Sequence, residues 1–224
     1  MPLPRWEVPK MYMSRVALDV QNRKKLRELA HLGAYHAWVE DSFPEERNKP
    51  KNERSRKLWR IDRLQGATYL LVVSPAPPDL SALEKYGVAG SAACKDYAPF
   101  LARIAAGQRL RFRATLNPAV SVMHSGGKRG RVVPHVTAGR QLQFLLDRAE
   151  KNGFALKPGA FTITDRGFAL LRKGGKSIHL ARTTYEGMLE VADAAPFRRA
   201  LTQGIGRKKA YGFGLMTVIP EVRP

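Results

Sequence analysis

Strand-forming and helix-forming segments interleave along this 224-residue chain in an order that runs twice. Tyr12 to Asp19 is rich in β-formers and reads as a strand. Arg23 to Phe43 reads as one helix, with Leu29, Leu32, His36, Val39 and Phe43 recurring on one face and Pro44 ending it. The charged run PEERNKPKNERSRK that follows reads as a loop. Leu58 to Leu64 and Tyr69 to Ser74 read as strands joined through Gln65-Gly66-Ala67, Asp79 opens a short helix, and Tyr97 to Ala106 forms another. Arg109 to Leu116 alternates Arg109, Arg111 and Arg113 with Leu110, Phe112 and Ala114, the period of a strand. The second half repeats the order more loosely. It has a helix from Thr137 to Asn152 closed by Gly153, strands at Phe161 to Thr164, Phe168 to Arg172, Ser177 to Thr183 and Tyr185 to Val191, a helix from Pro196 to Gln203, and a last strand from Leu215 to Ile219. An α+β fold of two tandem β-α-β-β-α-β units follows, ferredoxin-like in connectivity. The expected units are 11–118 and 119–224, and 1–10 stand outside them as an N-terminal extension.

Charge narrows the partner. The chain carries 39 Lys+Arg against 19 Asp+Glu, a formal net charge of +20. Eighteen of the basic residues fall in three stretches free of acid: Tyr97 to Leu146, Arg166 to Tyr185 and Ala194 to Pro220. Segregation of this kind describes a surface for a polyanion. The absence of a long basic amphipathic helix argues against a membrane surface, and no apolar run reaches the roughly 20 residues of a membrane span. The single cysteine, Cys94, excludes a disulfide framework and a cysteine metal site within the chain. No secretory h-region is visible, so a reducing cytoplasm is the expected compartment.

The most distinctive segment is Gly204-Ile205-Gly206-Arg207-Lys208-Lys209-Ala210-Tyr211-Gly212-Phe213-Gly214. Helix before and strand after is the reverse of a dinucleotide or P-loop context. Three cations between Gly204, Gly206, Gly212 and Gly214 suit a phosphate-backbone cradle. Lys128, Arg129 and Arg131 lie in a second glycine-rich basic loop, and Arg172, Lys173 and Lys176 at a hairpin tip. The pattern HxxxH does not occur, so neither a metal nor any other cofactor is expected. By spacing alone, His36 on its apolar helical face reads as a core histidine.

Ordered pieces of the chain resemble a known family. MYMSRVALD resembles its opening strand, LGAYHAWVEDSFP the helix bearing its catalytic histidine, LWRID and YLLVVS its next strands, GQRLRFRATLNP a later strand, and YEGMLEV with GIGRKKAYGFGLMTV its C-terminal strand and glycine-rich loop. The family is the CasE-type CRISPR-associated endoribonuclease, the crRNA-maturing subunit of type I-E Cascade complexes within the RAMP superfamily. The resemblance implies two ferredoxin-like folds, metal-independent cleavage of the repeat hairpin of precursor CRISPR RNA, retention of the mature crRNA, and other Cascade subunits as partners. It selects His36 as the catalytic histidine by its distance to Phe43-Pro44. Some relatives place a tyrosine three residues earlier; that position is Gly33 here, and the adjacent Tyr35 is the candidate substitute.

The implied chemistry is attack of a 2′-OH on the adjacent phosphorus, giving a 2′,3′-cyclic phosphate and a 5′-OH. His36 serves as acid or base, and Lys208 or Arg207, or Lys128 with Arg129, stabilises the phosphorane charge. Lys209 and the loop glycines hold phosphates, and Arg172, Lys173 and Lys176 meet the stem base. Two other functions fit the same charge: a non-catalytic RAMP subunit capping a guide RNA, and, further off, a DNA-binding regulator.

Overall fold

The computed structural model describes residues 9–50, 52–123 and 130–221. The first unit contains β1 (Tyr12–Ala17), α1 (Arg23–Glu28), α2 (Leu32–Asp41), α3 (Pro44–Arg47), β2 (Leu58–Leu64), β3 (Ala67–Ser74), α4 (Leu80–Leu83) and β4 (Ala93–Asp96). Its four strands order as β2-β3-β1-β4, every neighbour antiparallel. After α5 (Ala98–Ala102) come β5 (Arg109–Leu116), β6 (Ala119–Val122), β7 (Arg131–Pro134), α6 (Ala138–Ala149), β8 (Phe154–Ala155), β9 (Phe161–Lys173), β10 (Lys176–Val191), α7 (Ala194–Gln203) and β11 (Met216–Pro220). The second sheet runs β11-β5-β10, with both β8 and β9 on β10, and β6 pairs with β7 in a separate two-stranded sheet. With the two-residue β8 set aside, each main sheet has its first and third strands in the middle, the order of a ferredoxin-like unit.

Several expectations change. The single helix from Arg23 to Phe43 is two helices, because His31 is extended (φ −154°, ψ 159°). Leu29, Trp38, Val39 and Phe43 all enter the core beneath the first sheet. A straight helix does not turn all four inward, and the break changes the direction of the chain. The buried face of α2 is therefore Trp38 and Val39 with Tyr35 packed beside them, and His36 stands at its border. Pro44 starts α3 rather than merely ending a helix. The charged run is anchored by Glu46, which accepts from Lys57 Nζ at 2.7 Å and from Ser55. The strand Arg109 to Leu116, expected to close the first unit, pairs with β10 and β11 instead. The short β4 takes its place, and the chain passes between sheets from Asp96 to Arg109, upstream of Pro118. The four strands expected from Phe161 to Val191 are two long ones, β9 and β10, bulged at Thr184/Tyr185. Their outer halves leave the sheet as a two-stranded arm.

A buried ion pair joins the units. Arg60 on β2 donates to both Asp62 carboxylate oxygens (2.7 and 2.6 Å), to the carbonyls of Arg113 (2.7 Å) and Leu215 (3.0 Å), and to Thr217 Oγ1 (2.7 Å). All five guanidinium N–H groups are satisfied, and three of them reach β5, β11 and the residue before β11. The relative position of the sheets is thereby fixed, which matters because the candidate site draws on both.

Candidate ribonuclease site

His36 on α2 meets Tyr211 edge-on, ring centroids 5.3 Å apart and planes at 66°. The residues come together through Trp59. Its indole Nε1 donates to the Ala210 carbonyl at 3.0 Å, and its ring stacks on Tyr35 at 5.6 Å. Gly212 takes φ +80°, and a Cβ there would fall 2.6 Å from the Trp59 ring. Only glycine supplies both the left-handed backbone and the close approach. The short 3₁₀ turn Lys209–Tyr211 is thus seated on Trp59 with Tyr211 turned to the histidine.

The arm completes the enclosure. Leu171, Leu180 and Phe213 form a small apolar cluster against Leu32 and Tyr211. β9 crosses the start of α2 so closely that a Cβ on Gly33 would lie 2.9 Å from the His31 ring and 3.0 Å from the Arg172 carbonyl. The arm therefore lies on the helix at Gly33. This seating places the Lys173 ammonium 6.0 Å from the Tyr211 ring centre. Side chains alternate along a strand, so Lys173 and Lys176, with Leu171 and Leu180, share the face toward α2, and Arg172 points to the other face. The three hairpin cations are divided, not one patch.

Electrostatics favour an uncharged imidazole. Burial pushes the His36 pKa below its ordinary value, and the nearby Lys57 and Lys173 charges add to the effect, opposed by Glu40 one helical turn away. Tyr35 is pushed up by burial and packs between Trp38 and Trp59. Lys208 and Lys209 line a separate cleft with Arg56, Gln203 and Gly206. Burial, and then the Arg56 charge, lower the Lys209 pKa. Burial, and to a lesser degree the Arg207 charge, lower the pKa of Arg148 on α6, opposed by Asp147 and Tyr185. Of the four loop glycines, Gly204, Gly212 and Gly214 are buried and only Gly206 is exposed. Most of the glycine requirement is packing, and the outward cradle is Gly206 with Arg207 and Lys208. Arg131 is exposed on β7; Lys128 and Arg129 lie outside the described residues.

Sequence reasoning missed Tyr211, Glu40, Lys57 and Arg56. Tyr211 lies inside the glycine-rich segment, but nothing in spacing places it at a histidine 175 positions earlier (211 − 36). Glu40 had a usable signal, its i+4 relation to His36. Among the described residues no three His, Cys, Asp or Glu side chains converge as a metal site, and no helix is long and apolar enough to cross a membrane.

Comparison with known proteins agrees with this architecture. The chain is 29% identical to the CRISPR-associated endoribonuclease Cse3 of Thermus thermophilus, covering 94% of this chain and all of that one. A structure of Thermus thermophilus Cse3 bound to an RNA representing a pre-cleavage complex superposes with a TM-score of 0.79 at 28% identity, over 94% of this chain and all of that one. The CRISPR-associated protein Cas6e of Escherichia coli shares the fold (TM-score 0.57, 22% identity, 94% of this chain and all of that one). The family model described as CRISPR associated protein matches residues 11–220. By that match across nearly its whole length, with the paired ferredoxin-like units to go with it, the chain belongs to the family of CRISPR-associated proteins.

Proposed function

We propose that the chain is an endoribonuclease that cuts repeat hairpins of precursor CRISPR RNA and remains on the product as a subunit of an RNA-guided surveillance complex. The observation that carries this reading is the convergence of a half-buried histidine, a tyrosine and a lysine from three distant segments beside a basic surface. The RNA complex of the similar Cse3 protein gives it the substrate class.

Cleavage proceeds without metal by attack of the 2′-oxygen on the adjacent phosphorus. The neutral imidazole favoured by burial accepts the 2′-OH proton. The P–O5′ bond breaks, leaving a 2′,3′-cyclic phosphate; the 5′-oxygen takes a proton from solvent to become a 5′-OH, and the imidazolium returns its proton to solvent. Lys173, whose ammonium lies 6.0 Å from the Tyr211 ring centre, offsets the phosphorane charge. Tyr211 takes the place proposed for Tyr35 as the tyrosine beside the histidine, donating a hydrogen bond to the reacting phosphate. Lys208, Lys209 and Arg56 hold the RNA backbone on one side, and Lys176 with Arg172 on two faces of the arm hold the stem. Arg207, Arg131, Lys128 and Arg129 extend the cationic surface.

The test is His36→Ala on a labelled repeat hairpin. Cleavage should fall by at least the roughly 10²–10⁴-fold of a positioned proton transfer, with hairpin affinity near wild type. A hairpin with 2′-deoxy at the cut site should bind and stay intact, and EDTA should change nothing. Binding with no product from the wild-type protein would instead assign a guide-capping, non-catalytic subunit.

A further inference from the structure

A three-residue charge cluster lies under the site and has no role in the chemistry above. The Lys57 side chain is 1% exposed. Its ammonium sits 2.7 Å from Glu46, 3.4 Å from Glu40 and 5.0 Å from the Phe43 ring centre. The two carboxylates are not equivalent. Glu46 also accepts from the Ser55 amide at 3.1 Å and hydroxyl at 2.8 Å, so its charge is well met. Among the described residues, the Glu40 side chain has one partner, Lys57 at the longer distance. Two carboxylates share one ammonium, and the cluster keeps a net negative charge that resides mostly on Glu40.

Glu40 follows His36 by four residues on α2, which puts the two on one helix face, about 5–6 Å apart at Cβ. The imidazole is otherwise surrounded by Tyr211 from the glycine-rich loop, Lys57 from the strand approach and Lys173 from the arm. Of these four groups only Glu40 is anionic. It therefore favours the imidazolium, whereas Lys57 and Lys173 oppose it. When a phosphate of bound RNA offsets Lys173, one of the two opposing charges is cancelled, and Glu40 is left less opposed when the ring must take up a proton.

We propose that Glu40, left partly unneutralised by the Lys57–Glu46 pair, is a positioning residue that steadies His36 and stabilises the imidazolium formed as the 2′-OH proton is taken up. The inference rests on the endoribonuclease reading above. Glu46 and Lys57 act through Glu40: they hold the ammonium away from it.

The experiment is NMR titration of the His36 ring in the full-length protein, assigned by comparison with His36→Ala, together with the pH profile of single-turnover cleavage. Glu40→Gln should lower the His36 midpoint by roughly 0.5 pH unit, the effect of one charge about 6 Å away through a water-like dielectric. The acid limb of cleavage should move down by the same amount, and the plateau rate should fall several-fold with hairpin affinity unchanged. Glu40→Asp should recover part of the shift. Glu46→Gln, which frees Lys57 to neutralise Glu40, should also lower the midpoint, and it serves if Glu40→Gln folds poorly. A midpoint within 0.1 unit of wild type in folded Glu40→Gln and Glu46→Gln overturns the inference. If the wild-type protein binds the hairpin without cutting it while the midpoint moves as stated, the function reading fails and the Glu40–His36 coupling stands; if His36→Ala cleaves at the wild-type rate, the imidazolium role is overturned.

Discussion

Asp62→Ala tests the junction that holds the two halves of the site together. The Asp62 and Arg60 side chains are 3% and 2% exposed, and Arg60 directs two of its five N–H groups at the Asp62 carboxylate. Removing the carboxylate leaves a guanidinium in the interior with its carbonyl partners but no counter-charge. Breaking a buried pair from one side costs about 3–5 kcal/mol, a large share of the roughly 5–15 kcal/mol that holds a domain folded. Arg113, 3.3 Å from Asp62, adds little to the loss, because it is 31% exposed and keeps Glu186 at 2.9 Å. For a chain of this length each kcal/mol moves the melting temperature by about 2–4 °C, so a drop of roughly 6–20 °C is expected by scanning calorimetry or circular dichroism. The double variant Arg60→Met/Asp62→Leu should lose less than Asp62→Ala, since no unpaired charge remains. Cleavage should suffer before hairpin binding does, because His36 hangs from the first unit and Lys173 and Tyr211 from the second. A loss below about 1 kcal/mol for Asp62→Ala, or a double variant as unstable as the single one, would refute the reasoning.

Gly212→Ala should cost more than the roughly 1 kcal/mol typical of a residue forced to positive φ, because its methyl also meets the Trp59 ring; thermal melts measure the loss, and cleavage should fall with it as Tyr211 leaves His36. The pH dependence follows from the lowered His36 pKa. The depressed value means that the neutral ring contributes stability that is fully present above 6.5, the ordinary histidine value, and is lost as pH falls through the folded midpoint below it. Cleavage should accordingly be level above pH 6.5 and decline only at lower pH, and Lys173→Met should move that decline to higher pH; a rate that falls as pH rises through neutrality would instead make His36 the general acid.

The repeated strand and helix order was readable because each signal is local. The alternation of Arg109 to Leu116, the helix expected from Thr137 and the Gly153 stop rest on signals within a few residues, and the structure has a strand, a helix and a helix end in those places. Strand partnership was not readable. Arg109 to Leu116 is equally good as the last strand of one sheet or the first of the next, since its period says which faces differ and not which strand lies beside it. The break at His31 escaped for a related reason: Leu29 and Trp38 reach one core only after the chain turns, and helix propensity does not register a tertiary demand.

The candidate site divides along the same line. The sequence by itself pointed to a polyanionic partner, through 18 basic residues gathered in three acid-free stretches, and through its resemblance to family motifs it singled out His36. Tertiary structure alone decided the company His36 keeps. Trp59 seats the glycine-rich loop, the arm from β9 and β10 crosses α2 at Gly33, and Lys57 is drawn toward Glu46 and away from Glu40. Each of these joins residues far apart in the chain through packing, and the positions of such residues are set by the sum of the core rather than by any local rule.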